Sequence, residues 1–254
     1  MLLVPAAGLG TRLNAGKPKA LVEVNGRPML DYLWQLYRSH VDAMVVVVHP
    51  SAVEEVVRWA RPVAGDQGDL VGPPIEVIQQ VAPTGMLDAI LLAAPAVLRH
   101  DPAWIWITWS DQVGVLPETA LRLEEATSGG TPSALVLPTV RRPHPYTHFE
   151  RSAGGAIVRL LQRREGDRMP DEGESDMGVF ALTRATFERE LPDYARTVVP
   201  AGGTGERNFV PFVPWLAGRA PVVTIPATDA REAIGVNTPE DLRMMEQWLR
   251  SRTV

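Results

Sequence analysis

The stretch from Val4 to Leu21, VPAAGLGTRLNAGKPKAL, holds the side chains best suited to grip an anion. Gly8 and Gly10 make a Gly-x-Gly turn after an apolar run, where missing side chains let backbone N–H groups approach negative charge closely. Arg12 follows the turn, and Lys17 and Lys19 flank Pro18. The chain carries 25 lysines plus arginines, and these are its only lysines. Arginine offers phosphate a planar fork and lysine a compact charge on a flexible stem, so the cluster favours a phosphate site over a plain βα turn. Two other glycine-loop chemistries do not fit. A dinucleotide loop needs a third glycine where this chain has Leu13, and a P-loop needs Ser or Thr where Pro18 follows Gly16-Lys17.

A second candidate lies in WIWITWSDQVGVL, an apolar strand that runs into Asp111. In an open α/β sheet, ligands bind beyond the carboxyl ends of the strands, so this acid faces the same crevice as the glycine turn. A carboxylate is a hard oxygen donor suited to Mg²⁺, which takes one or two protein oxygens together with substrate phosphates. Five histidines, His40, His49, His100, His144 and His148, form no metal pattern; the i, i+4 pair in HPYTH is interrupted by Pro145 and lies in a β context. There are no cysteines, which excludes disulfides, thiolate metal sites and a cysteine nucleophile.

The elements that position these residues are readable. LLVPA, AMVVVVHP, PIEVIQQ, AWIWITWSD and SALVLPTV are continuous apolar runs, as expected of strands buried on both faces. Between them RPMLDYLWQLYRSH, SAVEEVVRWA, MLDAILLAAPAVL and PETALRLEEAT carry helical spacing. The alternation predicts an α/β fold with a doubly wound, mostly parallel, Rossmann-like sheet. The 254 residues are expected to form a single domain, with a β excursion over about 140–182 forming a lip over the site. Thr238 and Pro239 are a natural N-cap and first residue for the last helix, with Glu240 and Asp241 suited to its dipole.

Composition bounds the partners. A net charge of −5 argues against gripping nucleic-acid backbones, and any anion site must be local. No basic leader or long apolar run is visible, so a cytoplasmic protein without membrane contact is expected. Association into a homo-oligomer is left open.

AAGLGTRL followed by KPKAL resembles the signature of the nucleotidyltransferases that make nucleoside-diphosphate sugars, and the spacing of Arg12 and Lys19 is most similar to the N-acetylglucosamine-1-phosphate uridylyltransferases and cytidylyltransferases of that fold. The resemblance runs from Leu2 to about Leu249. It implies transfer of a nucleoside monophosphate from a nucleoside triphosphate to a sugar 1-phosphate, with Mg²⁺ as cofactor. It assigns Arg12 and Lys19 to catalysis, Ala6, Ala7, Gly8, Gly10 and Thr11 to the nucleotide, and Asp111 and Asn237, the latter in EAIGVNTPEDL, to the metal. VIQQVAPTGMLDAI resembles the base-reading segment, with Gln80 or Gln79, and Gly85, in its roles and Met86 where the family has Thr. Gln162 and Asp176 fall where the family contacts the sugar, replacing a common Glu and Asn. No hexapeptide repeat of the bifunctional members follows, so the transferase module alone is expected. Two alternatives stay open: a cytidylyltransferase acting on a phosphonate or other non-sugar phosphate, and a catalytically silent nucleotide-binding protein.

Overall fold

The computed structural model describes residues 1–254 except 9, 11, 12, 14, 15, 65–71, 83, 130, 131, 201–204, 253 and 254. The chain opens with β1 (Leu2–Ala6), passes through a ribbon of β2 (Glu23–Val24) and β3 (Arg27–Pro28), and then alternates: α1 (Met29–Tyr37), β4 (Met44–Val48), α2 (Val53–Ala64), β5 (Ile75–Gln79), α3 (Met86–Leu91), α4 (Ala94–His100), β6 (Trp104–Thr108), α5 (Pro117–Ser128) and β7 (Leu135–Pro143). There follow β8 (Thr147–Arg151), β9 (Ile157–Gln162), β10 (Glu172–Asp176), β11 (Val179–Thr183), α6 (Leu191–Thr197), α7 (Phe212–Ala217), β12 (Val222–Pro226) and α8 (Pro239–Arg252).

An eight-stranded mixed sheet runs in the order β10-β7-β11-β6-β1-β4-β5, with β12 also paired to β7. Strands β6, β1, β4 and β5 are parallel, and β11 enters antiparallel between β6 and β7. Helices cover both faces, so strand residues of both parities are buried. Leu3, Val45, Val47, Ile107 and Phe180 pack into one core, and Leu2, Val4, Met44, Val46 and Trp106 into the other. A third cluster, including Leu13, Val22, Val113, Leu116, Val236 and Trp248, packs together the loops beyond the strand ends.

The topology fixes where a ligand can sit. From β1 the chain winds outward through β4 to β5, then returns to the other side of β1 as β6, which pairs Leu2 with Trp106 and Leu3 with Ile107. The winding direction reverses at β1, and the crevice at such a reversal opens at the carboxyl ends of the strands. The glycine turn leaves β1 there, and Asp111 leaves β6 there.

The predicted helix over MLDAILLAAPAVL is two helices, α3 and α4, because Pro95 has no N–H for a continuous ladder and takes up the first turn of a new helix. Within the span 140–182, β10 and β11 join the central sheet, and β8 and β9 pair with each other as a separate hairpin. Thr238 caps α8 as its sequence predicts: its hydroxyl accepts from Asp241 N at 3.1 Å while the Asp241 carboxylate accepts from Thr238 N at 2.8 Å. Among the described residues, no helix is long and apolar enough to cross a membrane.

Candidate active site

Lys19 begins a short 3₁₀ turn over Lys19–Leu21, entered through Pro18. Gly10, at φ +59°, lies against its stem: a Cβ there would come 2.7 Å from Lys19 Cβ. A side chain is therefore excluded at Gly10 by both conformation and space. The Lys19 ammonium donates to the Asp111 carboxylate and to Asn237 Oδ1 at 2.7 Å. The side chains of Lys19 and Asp111 are 15% and 10% exposed. Residues 19, 111 and 237, far apart in sequence, thus meet at one point. Lys17 turns elsewhere, to an exposed ion pair with Glu23 at 2.8 Å.

The Asp111 and Asn237 loops are held together by backbone as well as side chains. Val236 N donates to Asp111 O at 3.1 Å, and a Cβ on Gly235 would lie 3.1 Å from Asn237 Nδ2 and 3.2 Å from Asp111 Oδ2. The absence of a side chain at 235 lets the loops close to this distance. Two hard oxygens, Asp111 Oδ2 and Asn237 Oδ1, thereby converge on a single cation, the Lys19 ammonium. That donor set fits Mg²⁺, which completes its shell with phosphates and water. Among the described residues no group of three His, Cys, Asp or Glu side chains could form an all-protein metal cage.

Of the other nucleotide residues, Ala6 ends β1 buried and Gly8 is exposed, with open space where a Cβ would be. Ala7 lies between them at the mouth of the turn. Thr11 and Arg12 lie outside the described residues. Gln80 is buried, and its Nε2 donates to Gly85 O at 3.0 Å. Gly85 has φ +115°, and a Cβ there would come 2.5 Å from Arg207 N, so this turn is pressed against the 206–208 segment. Arg207 N donates to Thr84 O at 2.8 Å, Leu87 N donates to Arg207 O at 3.1 Å, and the guanidinium pairs with Asp88.

Gln162 and Asp176 do not touch the Lys19 cluster. Gln162 Oε1 accepts from Asn208 Nδ2 at 2.6 Å. The Asp176 carboxylate accepts from Thr147 Oγ1 at 2.5 Å and Gly178 N at 2.9 Å. Burial holds the Asp176 carboxyl above the ordinary carboxylate range, against the opposing pull of those two donors and of Arg142. Both its oxygens are thus engaged by its own chain. A pocket of about 380 Å³ beside α8, lined by Ile234, Met245 and Trp248 among others, shares no residue with these groups.

Arg207, Asn208, Gly235 and Glu232 were not singled out from the sequence. For Glu232 a signal exists: Asp229-Ala-Arg-Glu232 is a capping-box pattern, and both of its reciprocal bonds are present.

A reversal-point crevice entered by a glycine turn, a lysine and an acid defines a nucleotide-handling α/β protein. The chain belongs to the MobA-like NTP transferase domain family, which its residues 2–175 match, and is thus a nucleotidyltransferase. It is similar to the bifunctional protein GlmU of Acidovorax ebreus, at 27% identity over 97% of this chain and 50% of that protein. It is also similar to the bifunctional protein GlmU of Sorangium cellulosum, at 28% identity over 98% of this chain and 52% of that protein. The chain spans about half the length of these curated relatives. Its fold is shared with a Bacillus anthracis protein assigned as a glucose-1-phosphate thymidylyltransferase and solved with sucrose: TM-score 0.76, 15% identity, covering 98% of this chain and 94% of that one.

Proposed function

We propose that the protein transfers a nucleoside monophosphate from a nucleoside triphosphate to a sugar 1-phosphate, giving a nucleoside-diphosphate sugar and pyrophosphate. An oxygen of the acceptor phosphate attacks the α-phosphorus in line; the new P–O bond forms as the bond to the β-phosphate breaks, and the electron pair leaves with pyrophosphate. A phosphate monoester is already anionic at neutral pH, so the chain needs no general base. The work left to the protein is bringing anions together and neutralising charge as it shifts to the leaving group.

The observation supporting this reading is the meeting of Lys19, Asp111 and Asn237 beyond the ends of β1 and β6. Lys19 supplies positive charge to the triphosphate, a role that the sequence resemblance gives to Arg12 as well. Gln80 and Gly85 are assigned to recognition of the base. Asp111 and Asn237 would hold Mg²⁺, which supplies charge neutralisation between the two phosphate groups when bound. Gln162 and Asp176 are assigned to the acceptor, and the sugar-phosphate class is supported by the activity assigned to the Bacillus anthracis protein of the same fold.

The test is pyrophosphate release with Mg²⁺ across a panel of nucleoside triphosphates and phosphorylated acceptors. Turnover with a sugar 1-phosphate, abolished by EDTA and by Asp111→Ala, is the expected result. Turnover confined to phosphonates or other non-sugar phosphates would replace the acceptor class. Binding of nucleotide with no turnover on any acceptor would overturn the enzymatic reading.

A further inference from the structure

Glu232 is completely buried and yet carries no basic partner in its hydrogen-bond set. Its Oε1 accepts from Thr228 N at 3.1 Å, Thr228 Oγ1 at 3.2 Å and Asp229 N at 3.1 Å. Its Oε2 reaches across the molecule to Leu116 N at 3.0 Å. The first three bonds are local and close a capping box. The fourth is different: it joins the segment leading to Asn237 with the loop that descends from Asp111, 116 residues away in sequence. A buried charge is tolerated only where donors saturate it, and here the donors are backbone N–H groups of the two loops that carry the candidate metal oxygens.

We infer that Glu232 is a positioning residue that sets the separation of Asp111 and Asn237, and so the affinity of their oxygens for a divalent cation. Two ties bridge these loops, the Glu232 carboxylate accepting from Leu116 N and the backbone bond from Val236 N to Asp111 O at 3.1 Å. At Gly235, next to Val236, an added Cβ would come within 3.1 Å of Asn237 Nδ2 and 3.2 Å of Asp111 Oδ2. With the Glu232 tie gone, the Asp111 loop is held at its near end only and its carboxylate is free to drift from Asn237. A metal site loses affinity when the groups behind its ligands are removed, typically tenfold or more. This inference rests on the reading of Asp111 and Asn237 as metal ligands.

The experiment measures Mn²⁺ alone binding to the full chain, by electron paramagnetic resonance or calorimetry, in five forms: wild type, Asp111→Asn, Glu232→Asp, Glu232→Gln and Thr228→Val. The shorter Glu232→Asp keeps charge beside Thr228 and Asp229 but cannot span to Leu116, and so tests the long tie with the local turn preserved if the isosteric Gln variant does not fold. Both Glu232 variants are expected to raise the Mn²⁺ Kd by about tenfold. Thr228→Val, which loses only a local bond, is expected to lower the melting temperature without moving the Kd. A Kd unchanged in Glu232→Asp, or moved equally by Thr228→Val, overturns the positioning role. Asp111→Asn binding Mn²⁺ as tightly as wild type overturns the metal assignment itself, and the inference with it.

Discussion

Lys19 is where cation chemistry is concentrated. Its ammonium bonds both Asp111 Oδ2 and Asn237 Oδ1, the oxygens proposed to hold a divalent ion, so on that proposal the lysine and the metal would compete for them when no nucleotide is present. Removing the lysine should therefore move two observables in opposite directions. Lys19→Ala forfeits a charged hydrogen bond to the triphosphate, worth roughly 1.5–3 kcal/mol, and is expected to lower kcat/KM by about ten- to a hundredfold. The same variant is expected to bind free Mn²⁺ more tightly than wild type. Loss of activity with unchanged or weaker Mn²⁺ binding would show that the ammonium does not stand in the cation's place. Lys17→Ala, losing only an exposed pair with Glu23, should leave both quantities where they were. The sequence could not separate the two lysines, because what distinguishes them is a glycine nine positions before Lys19 and partners about 90 and 220 residues beyond it.

At the scale of elements, the strands and helices that carry the site are legible, since β1, β4 and β6 are continuous apolar runs and α8 announces its own cap. What was not legible is the acidic strand β10, Glu-Gly-Glu-Ser-Asp, which reads as loop because nothing in it favours strand. It is an edge strand whose pairing is imposed by β7, and charge on an edge also discourages pairing with other chains. Its last residue carries a testable consequence. Asp176 has a carboxyl whose folded-state pKa is raised, so the folded chain holds that proton over a pH window in which the unfolded chain has released it. Stability from this group is full below the ordinary carboxylate pKa and is lost as pH climbs from there to the raised value. Thermal unfolding of Asp176→Asn and wild type, followed from about pH 4 to 7, should show the difference shifting steadily in favour of the variant as pH rises. A constant difference would mean that the carboxyl titrates alike in both states. Gly10 makes an equally local prediction: Gly10→Ala forces a left-handed backbone and a clash with the Lys19 stem, and is expected to reduce kcat/KM about as much as losing the lysine.

Across the whole molecule, one side of the sheet, β1, β4 and β5, carries the glycine turn and leads into the Gln80–Gly85 turn, and the other, β6, β11, β7 and β10, leads into Asp111 and ends on Asp176. Residues 206–208 bridge the Gln80–Gly85 turn and the β8–β9 hairpin: Arg207 is bonded to Thr84, Leu87 and Asp88, and Asn208 to Gln162 at the end of β9. No periodicity or spacing in the sequence signals this bridge, because its function lies in backbone pairing across more than 100 residues. On the proposed assignment of Gln80 and Gly85 to the nucleotide and Gln162 to the acceptor, it makes the two regions separable by mutation. Asn208→Ala cuts the link to Gln162 but leaves the Arg207 pairing, and is expected to raise the acceptor KM with little effect on the nucleotide. Arg207→Met removes the ion pair with the partly buried Asp88 and loosens the turn that holds Gln80 and Gly85, and is expected to raise the nucleotide KM instead. Each link is a hydrogen bond or ion pair worth about 1 kcal/mol, so shifts of roughly three- to tenfold are expected. Steady-state kinetics varying each substrate against the other gives the four KM changes directly. Equal rises for both substrates in both variants would mean that the bridge merely stabilises the fold, whereas the crossed pattern follows only if each end of the bridge supports its own substrate.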